Sequence, residues 1–282
     1  MRRLIVTADD FGLTKSINEG IAKACKEGIV TFLNFIPTGE AFDDAARLAQ
    51  ELKPEEIGAH LSLSETIPVS DPQKIPTLTT RQGRFYPHYY HLFAKFLVGA
   101  FDRNQAYLEL RNQLERLQSL KVKISNLSSH EHIHMMPGML EIFIRLAKEF
   151  DIPSMRYPRK EVSLGKFNMG KLYRSFAVSY LERGVGKALK ARDLAYTDNL
   201  MGFLDSGKLT EDLLCEMIGS MPKGVTELVC HPGFLGPEVV DRYRFHLNCE
   251  AELFALTSPR VKKAIEAKGI QLTTYQKFIA GK

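Results

Sequence analysis

The sequence contains few cysteines. Four occur among its 282 residues, Cys25, Cys215, Cys230 and Cys249, and no two of them form a C-x-x-C pair. A chain of this length buries a core large enough to be stable without covalent cross-links. We therefore expect reduced, buried thiols rather than disulfides, and the cytoplasm as the compartment in which the protein works.

Long apolar runs are also missing. The best candidate, Leu92 to Phe101, is interrupted by Lys95 and is shorter than the roughly 20 residues that cross a bilayer. Met1-Arg2-Arg3 and the apolar residues after it resemble the start of a signal peptide. That run ends at Asp9-Asp10, and no small-residue cleavage site follows. The sequence thus predicts neither a transmembrane segment nor export.

Excess positive charge is modest and local. Lys and Arg number 38 and Asp and Glu 33, which gives a formal net charge of +5. Ten basic and two acidic residues lie between Arg156 and Arg192, so this segment carries +8 and the rest of the chain −3. Proteins that bind nucleic acids usually display positive charge as their main surface feature, so we expect no nucleic-acid partner. The simplest interpretation of the segment is a solvated helical face.

Several common catalytic motifs are absent. The sequence has no G-x-x-x-x-G-K-[ST], no G-x-G-x-x-G, no G-x-S-x-G and no H-E-x-x-H. These absences argue against a phosphate-binding loop, a dinucleotide-binding site, a serine nucleophile on a strand-to-helix turn and a helical zinc-protease site.

Short β-rich runs alternate with longer amphipathic segments about seven times. The predicted strands are 3–7, 29–36, 57–63, 122–128, 227–230 and 270–274, and the predicted helices are 16–26, 42–52, 105–120, 138–150 and one that begins at Ser258-Pro259. Such alternation predicts an α/β fold with roughly seven parallel strands, closed or nearly closed into a single barrel over residues 1–282. A stretch rich in Pro, Thr and Tyr, from Ile67 to Tyr90, is expected to be a long loop with a functional or lid role.

Acidic and histidine side chains follow several of these strands. Carboxyl ends of parallel strands form the site in such folds, and carboxylate with imidazole suits a divalent transition metal. Asp9-Asp10 follows the first strand, although an Asp there can also cap the next helix. His60 lies in the third strand, where a lone histidine is more often a hydrogen-bonded core residue than a ligand.

The strongest local signal is a run of alternating histidines. His130, His132 and His134 stand at i, i+2 and i+4, so on an extended segment they would share one face. Three neighbouring residues rarely all reach one ion, so we expect one of them to bind metal and the others to contact the ligands or the substrate. His231, before Pro232-Gly233, ends a later strand and could act as a general acid or be a solvent-exposed turn residue.

Taken together, these motifs resemble the YdjC-type carbohydrate deacetylases, which include chitooligosaccharide deacetylases and hopanoid-biosynthesis-associated members. The segments that carry the resemblance are Thr7-Ala8-Asp9-Asp10-Phe11-Gly12, Gly58-Ala59-His60-Leu61, Ser129-His130-Glu131-His132-Ile133-His134, Glu227-Leu228-Val229-Cys230-His231-Pro232-Gly233 and Glu252-Leu253. The resemblance implies a distorted TIM-like (β/α) barrel and one divalent metal ion, Mg or Zn, bound by Asp10, His60 and His130. It also implies Asp9 as general base and His231 as general acid.

The function predicted in this way is metal-dependent hydrolysis of the N-acetyl group of an oligosaccharide or glycolipid that contains N-acetylhexosamine, with release of acetate. The expected partner is a small N-acetylated sugar or glycolipid, and a homodimer is compatible with the sequence. Two alternatives stay open: another metallohydrolase on the same barrel, such as an esterase or phosphoesterase, and a non-catalytic protein that uses residues 156–192 to bind an anionic ligand.

Overall fold

The fold is built on a curled parallel sheet. The computed structural model describes residues 1–136, 138–157, 161–162 and 185–281. Its strands are β1 (Arg2–Phe11), β2 (Phe32–Phe35), β3 (Glu56–Leu61), β4 (Lys123–Ser129), β5 (Glu161–Val162), β6 (Asn199–Met201), β7 (Gly224–Cys230) and β8 (Ile270–Leu272). They pair in parallel in the order β4-β3-β2-β1-β7-β6-β5, and β8 pairs with the first residues of β1.

Backbone hydrogen bonds connect the two ends of this sheet. The Leu127 N–H of β4 donates to Ser154 O (3.0 Å), and the Arg156 N–H donates back to Leu127 O (2.9 Å). Residues 154–156 thus pair with β4 on one side. On the other side they pair with Ala195, just before β6, where the Met155 N–H donates to Ala195 O (3.0 Å). The predicted distorted TIM-like barrel is therefore confirmed.

Helices surround the sheet. In the described part of the chain they are α1 (Lys15–Glu27), α2 (Phe42–Leu52), α3 (Tyr89–Leu97), α4 (Arg103–Gln118), α5 (Leu140–Glu149), α6 (Glu211–Ser220), α7 (Pro237–Arg242), α8 (Cys249–Thr257), α9 (Pro259–Ala267) and α10 (Tyr275–Ala280). The predicted helices agree with these bounds to within two residues. At the predicted cap, Ser258 Oγ accepts the N–H groups of Arg260 (3.0 Å) and Val261 (3.4 Å), and Pro259 occupies the first turn.

One end of the barrel is closed by apolar side chains. Tyr275 and Phe278 of α10 pack against Ile5, Phe32 and Val225, all almost fully buried. This cluster lies at the amino-terminal half of β1 and β7, opposite the strand ends that carry the polar residues. The closure directs ligand access to the carboxyl ends, as in other parallel barrels.

Two expectations about the chain as a whole can be compared with the structure. All four cysteines are free, as predicted, but only Cys230 and Cys249 are buried, whereas Cys25 and Cys215 are half-buried. Among the described residues, no helix combines the length and the apolar character needed to cross a membrane. Of the basic segment 156–192, residues 158–160 and 163–184 lie outside the described residues.

Candidate active site

The polar residues predicted from the sequence gather at the carboxyl ends of the strands. Asp9 and Asp10 lie near the end of β1, His60 lies in β3, His130 follows β4 and His231 follows β7. All five side chains are buried. Asp9 and Asp10 do not cap α1, because Thr14 Oγ1 accepts the Ile17 N–H (3.2 Å) at its start. Asp10 itself has a left-handed backbone (φ 65°), which Asp tolerates better than most residues.

Three of these side chains form a compact group that can hold a metal ion. Asp10 Oδ1 lies 3.4 Å from His60 Nε2 and 2.9 Å from His130 Nδ1. One ligand atom from each residue lies within 4.8 Å of the others. Ligand atoms bound to one ion at about 2.0–2.2 Å lie roughly 3 Å apart, so the spacing and the donor set both fit a divalent cation.

His60 is held in the neutral form that binds metals. Burial lowers the pKa of His60 to about 4, although Asp9 and Asp10 oppose this shift. The ring nitrogen that points away from Asp10, Nδ1, lies 2.9 Å from Ser128 Oγ. That hydroxyl can accept the Nδ1–H, which leaves Nε2 free for a cation. Asn34 Nδ2 fixes the arrangement by donating to Ser128 Oγ (2.7 Å) and to Asp9 Oδ1 (2.7 Å).

His130 lies between two carboxylates. Its Nδ1 faces Asp10, and its Nε2 lies 2.9 Å from Glu65 Oε2. Burial disfavours the imidazolium, but the charge of Asp10 and then that of Glu65 outweigh it and raise the pKa of His130 well above its usual value. The same interaction, with hydrogen bonds from His130 and His246, overcomes burial and keeps the pKa of Asp10 well below its usual value. A cation held by Asp10 and His130 would compete with the proton that the two carboxylates favour on His130.

The orientation and the pKa of Asp9 are determined by a buried arginine, Arg156, for which the sequence predicts no role in the site. Arg156 Nη1 donates to Asp9 Oδ2 (2.7 Å) and Nη2 to Asp9 Oδ1 (2.9 Å). The same guanidinium donates to Glu227 Oε1 through Nε (3.0 Å) and Nη2 (2.7 Å). Burial alone would raise the pKa of Asp9, but Arg156, followed by His60, lowers it well below its usual value. Asp9 is therefore ionised in the free protein at neutral pH.

Arg156 also corrects one interpretation of the charge. The charge pattern assigns Arg156 to the basic segment, for which a solvated helical face is the simplest interpretation. In the structure, however, its side chain is fully buried in the site. No local motif marks it, because it follows a short segment that the sequence pattern did not identify as part of the sheet. The only signal was its place in an apolar context, Ile152-Pro153-Ser154-Met155.

His231 is positioned by Glu252 of α8. The His231 N–H donates to Glu252 Oε2 (2.7 Å), and His231 Nδ1 lies 3.9 Å from the same oxygen. Burial lowers the pKa of His231 to about 4, although Asp10 and Asp9 act in the opposite direction, and burial raises that of Glu252 to about 7. Glu252 belongs to a motif that carries the resemblance, but no sequence pattern around it predicts a role.

A further histidine in the site was also missed. His246, in the 3₁₀ turn Arg244–Asn248, is buried, and its Nε2 lies 3.2 Å from Asp10 Oδ2. Its ring lies 5.8 Å from that of His231, centroid to centroid. Since His246 lies far in the sequence from any predicted strand end, only the folded chain shows that it belongs to the site.

The alternating histidines do not lie on an extended segment, so the expectation that they share one face of a strand was wrong. Residues His130–Met135 form a 3₁₀ turn in which Glu131 (φ 50°) and His132 (φ 53°) have left-handed backbones. His132 packs against Phe203 (4.3 Å between ring centroids), and His134 Nδ1 lies 2.6 Å from Ser129 Oγ. In the part of the chain described, neither ring forms a hydrogen bond or ion pair with the Asp10–His60–His130 group. The roles predicted for His132 and His134 stay predictions.

The chain was compared with known proteins. The family model described as YdjC-like protein matches residues 3–267. A protein named carbohydrate deacetylase from Thermoanaerobacter pseudethanolicus is 30% identical over 280 residues, 98% of each chain. One named chitooligosaccharide deacetylase from Escherichia fergusonii is 30% identical over 275 residues, 97% of this chain and 98% of the other.

Among solved structures, a protein from Enterococcus faecalis, provisionally described as a cellobiose-phosphate cleavage protein, has the same fold. The two structures superpose with a TM-score of 0.78 over 98% of each chain, at 24% identity. The family match covers nearly the whole length, and it includes the strand ends that carry the Asp10–His60–His130 group. The chain therefore belongs to the YdjC-like family.

Proposed function

We propose that this protein is a metal-dependent carbohydrate N-deacetylase. Its substrate would be an oligosaccharide or glycolipid containing N-acetylhexosamine, and its products acetate and the free amine. The observation that carries the proposal is the Asp10–His60–His130 group, buried beside a separate carboxylate, Asp9, and a separate imidazole, His231. The names of the relatives, carbohydrate deacetylase and chitooligosaccharide deacetylase, support the same activity.

Asp10, His60 and His130 would hold the ion. Imidazole donors suit Zn²⁺ better than Mg²⁺, which prefers oxygen ligands and retains several waters. When bound, such an ion polarises the acetyl carbonyl and lowers the pKa of a coordinated water. The residues around it remain responsible for orientation and for moving protons.

Asp9 would orient the attacking water and take up its proton. Arg156 keeps Asp9 ionised and fixes both of its oxygens, so the carboxylate meets the water in one orientation. A carboxylate with so low a pKa does not retain a proton. The proton would therefore pass on to a stronger base in the site.

His231 is that stronger base and would become the general acid. Its pKa of about 4 leaves the ring neutral in the free protein at pH 7, yet it exceeds that of Asp9. The attacking water would give its proton to Asp9 only as it bonds to the carbonyl carbon; the proton would then pass to the stronger base His231 and finally to the departing amine, which leaves readily only when protonated. Glu252 would keep His231 in place during these proton transfers by accepting its backbone N–H.

The test measures acetate and free amine released from N-acetylated glucosamine and its oligomers. Wild-type protein loaded with zinc should release the two products in equal amounts, and chelation or Asp10→Asn should reduce the rate by at least about 100-fold. Asp193→Asn is a matched control, because Asp193 is exposed and shares the left-handed backbone of Asp10 (φ 57°). Full activity of Asp10→Asn, or release that is insensitive to chelation, would refute the proposal.

A substrate panel separates amide hydrolysis from the other metallohydrolase reactions. His231→Ala should depress hydrolysis of an N-acetyl sugar far more than that of an activated O-acetyl ester, because only the amine must be protonated to leave. Faster turnover of an ester or a phosphoester than of every amide would replace the deacetylase assignment. Binding of anionic ligands without turnover of any substrate would instead support a non-catalytic protein.

A further inference from the structure

A group of aromatic side chains lies at the end of the long loop predicted to have a functional role. It consists of Tyr86, His88, Tyr89, Tyr90 and His91, five of six consecutive residues, and we call it the aromatic platform. The last three of these residues form the first turn of α3. The segment is joined to the end of the barrel by a parallel bridge between Ser64 and Tyr86.

The rings of the platform stack on one another and remain open to solvent. Tyr90 and His91 are stacked with centroids 4.4 Å apart, and Tyr86 and His91 with centroids 5.7 Å apart. Tyr90 is 53% exposed and Tyr89 40%. A soluble protein gains little from presenting adjacent tyrosines to water, so the exposed faces indicate a binding surface.

One hydrogen bond and two longer imidazole–carboxylate contacts connect the platform to residues beside the candidate metal group. The Tyr89 N–H donates to Glu131 Oε2 (2.8 Å), and Glu131 is the residue after His130. His88 Nδ1 lies 3.7 Å from Glu65 Oε1 and 3.8 Å from Glu131 Oε1. Glu65 in turn contacts His130 Nε2 (2.9 Å). A single carboxylate, that of Glu65, therefore lies between His88 of the platform and His130, a candidate metal ligand.

The chemistry of this surface fits a sugar. The C–H face of a pyranose ring packs on an aromatic face, and its hydroxyls hydrogen-bond to carboxylates, imidazoles and phenols at the rim. The platform offers both kinds of group within a few ångströms, because Glu65 and Glu131 border it. A surface for a protein partner would instead place apolar side chains at its centre and exclude the carboxylates.

We propose that the aromatic platform binds a second sugar unit, next to the one whose acetyl group faces Asp10. This inference rests on the proposed function and adds to it a residue outside the Asp10–His60–His130 group that would select for substrates longer than one sugar unit. Tyr90 is the more exposed of the two tyrosines in the first turn of α3, and its ring face would stack on this second sugar unit.

The first experiment compares kcat/KM for N-acetylglucosamine and for its β-1,4-linked trimer. Tyr90→Ala should lower the value for the trimer about tenfold, as expected for loss of one aromatic stacking contact, and change that for the monomer less than twofold. Tyr90→Phe keeps the ring and should remain near wild type. Phe254→Ala, which removes an exposed aromatic ring from α8, is the matched control and should affect neither substrate.

Equal effects of Tyr90→Ala on monomer and trimer, or no effect on either, would overturn the proposal. Binding of the trimer, followed by ligand-detected NMR, keeps this outcome separate from failure of the proposed function. If wild-type protein binds the trimer, Tyr90→Ala does not, and no acetate is released, the platform stands and the deacetylase assignment fails. A dimer in wild type that dissociates in Tyr90→Ala would assign the surface to a second copy of the chain.

Discussion

At the scale of single residues, Arg156 determines the charge of the site. It is fully buried and shares four hydrogen bonds between Asp9 and Glu227. Lysine could not replace it, because a single ammonium cannot satisfy two carboxylates in these directions. The guanidinium thus has two effects, which are to compensate two buried carboxylates and to keep Asp9 ready to accept a proton.

Arg156→Met should therefore reduce both stability and activity. Removing one partner of a buried ion pair costs about 3–5 kcal/mol, because the remaining charges lose their compensation. Urea unfolding measures this loss, and acetate release should fall by at least about 100-fold. Arg47→Met is the control, since Arg47 pairs with Asp44 and Glu51 on the surface, where solvent screens the pairs, and the substitution should leave the unfolding free energy near that of wild type. Wild-type stability of Arg156→Met would contradict this account.

The raised pKa of Glu252 predicts a pH dependence of the unfolding free energy. Its pKa rises from an ordinary 4.5 to about 7 because of burial. A raised folded-state pKa contributes stability that is complete below pH 4.5 and is lost as the pH rises through about 7. This contribution amounts to at most about 3 kcal/mol. Glu252→Gln removes it, so the variant should become more stable relative to wild type between pH 5 and pH 8. A difference in unfolding free energy that is independent of pH would contradict the shift.

At the scale of elements, the site depends on close contact between β2 and β3. Gly58 of β3 faces Asn34 of β2, whose amide donates to Asp9 and Ser128. A Cβ at position 58 would lie 2.2 Å from Asn34 Oδ1 and 2.6 Å from the Phe32 ring. A side chain there must therefore displace the amide that fixes Asp9.

Gly58→Ala should destabilise the protein by roughly 1–3 kcal/mol, as overpacking in a core does, and should also lower kcat. Thermal unfolding and acetate release measure the two effects. Gly219→Ala provides the control, because a Cβ on α6 would meet nothing within 4 Å, and alanine is favoured in a helix by about 1 kcal/mol. Equal behaviour of the two variants would show that the contact between β2 and β3 does not position Asn34.

The turn after β4 marks the limit of prediction at this scale. Alternation of histidines predicts a shared face only if the backbone is extended. At Glu131 and His132 the backbone becomes left-handed, which directs His132 toward Phe203 and leaves the Glu131 carboxylate to accept the Tyr89 N–H. Tertiary contacts of this kind leave no periodic trace in a sequence.

At the scale of the whole molecule, the barrel could be predicted because repeated strand–helix units have few other ways to bury their apolar faces. The candidate ligands could be predicted because polar residues at strand ends of such a sheet converge, and the resemblance selected Asp10, His60 and His130 among them. Arg156 and His246, which contact Asp9 and Asp10, could not, since neither stands at the end of a strand that the sequence pattern predicts. Whether residues 1–282 form a single domain stays a prediction.

The most direct measurement of the central claim is an anomalous-scattering map of crystals grown with zinc, paired with acetate release from the same preparation. The account predicts one strong peak, about 2.0–2.2 Å from Asp10 Oδ1, His60 Nε2 and the imidazole of His130, and its loss in Asp10→Asn together with the activity. The account would be contradicted by a preparation that releases acetate although its map shows no peak at this position. A peak that occurs only at a distance from these three residues would contradict it equally.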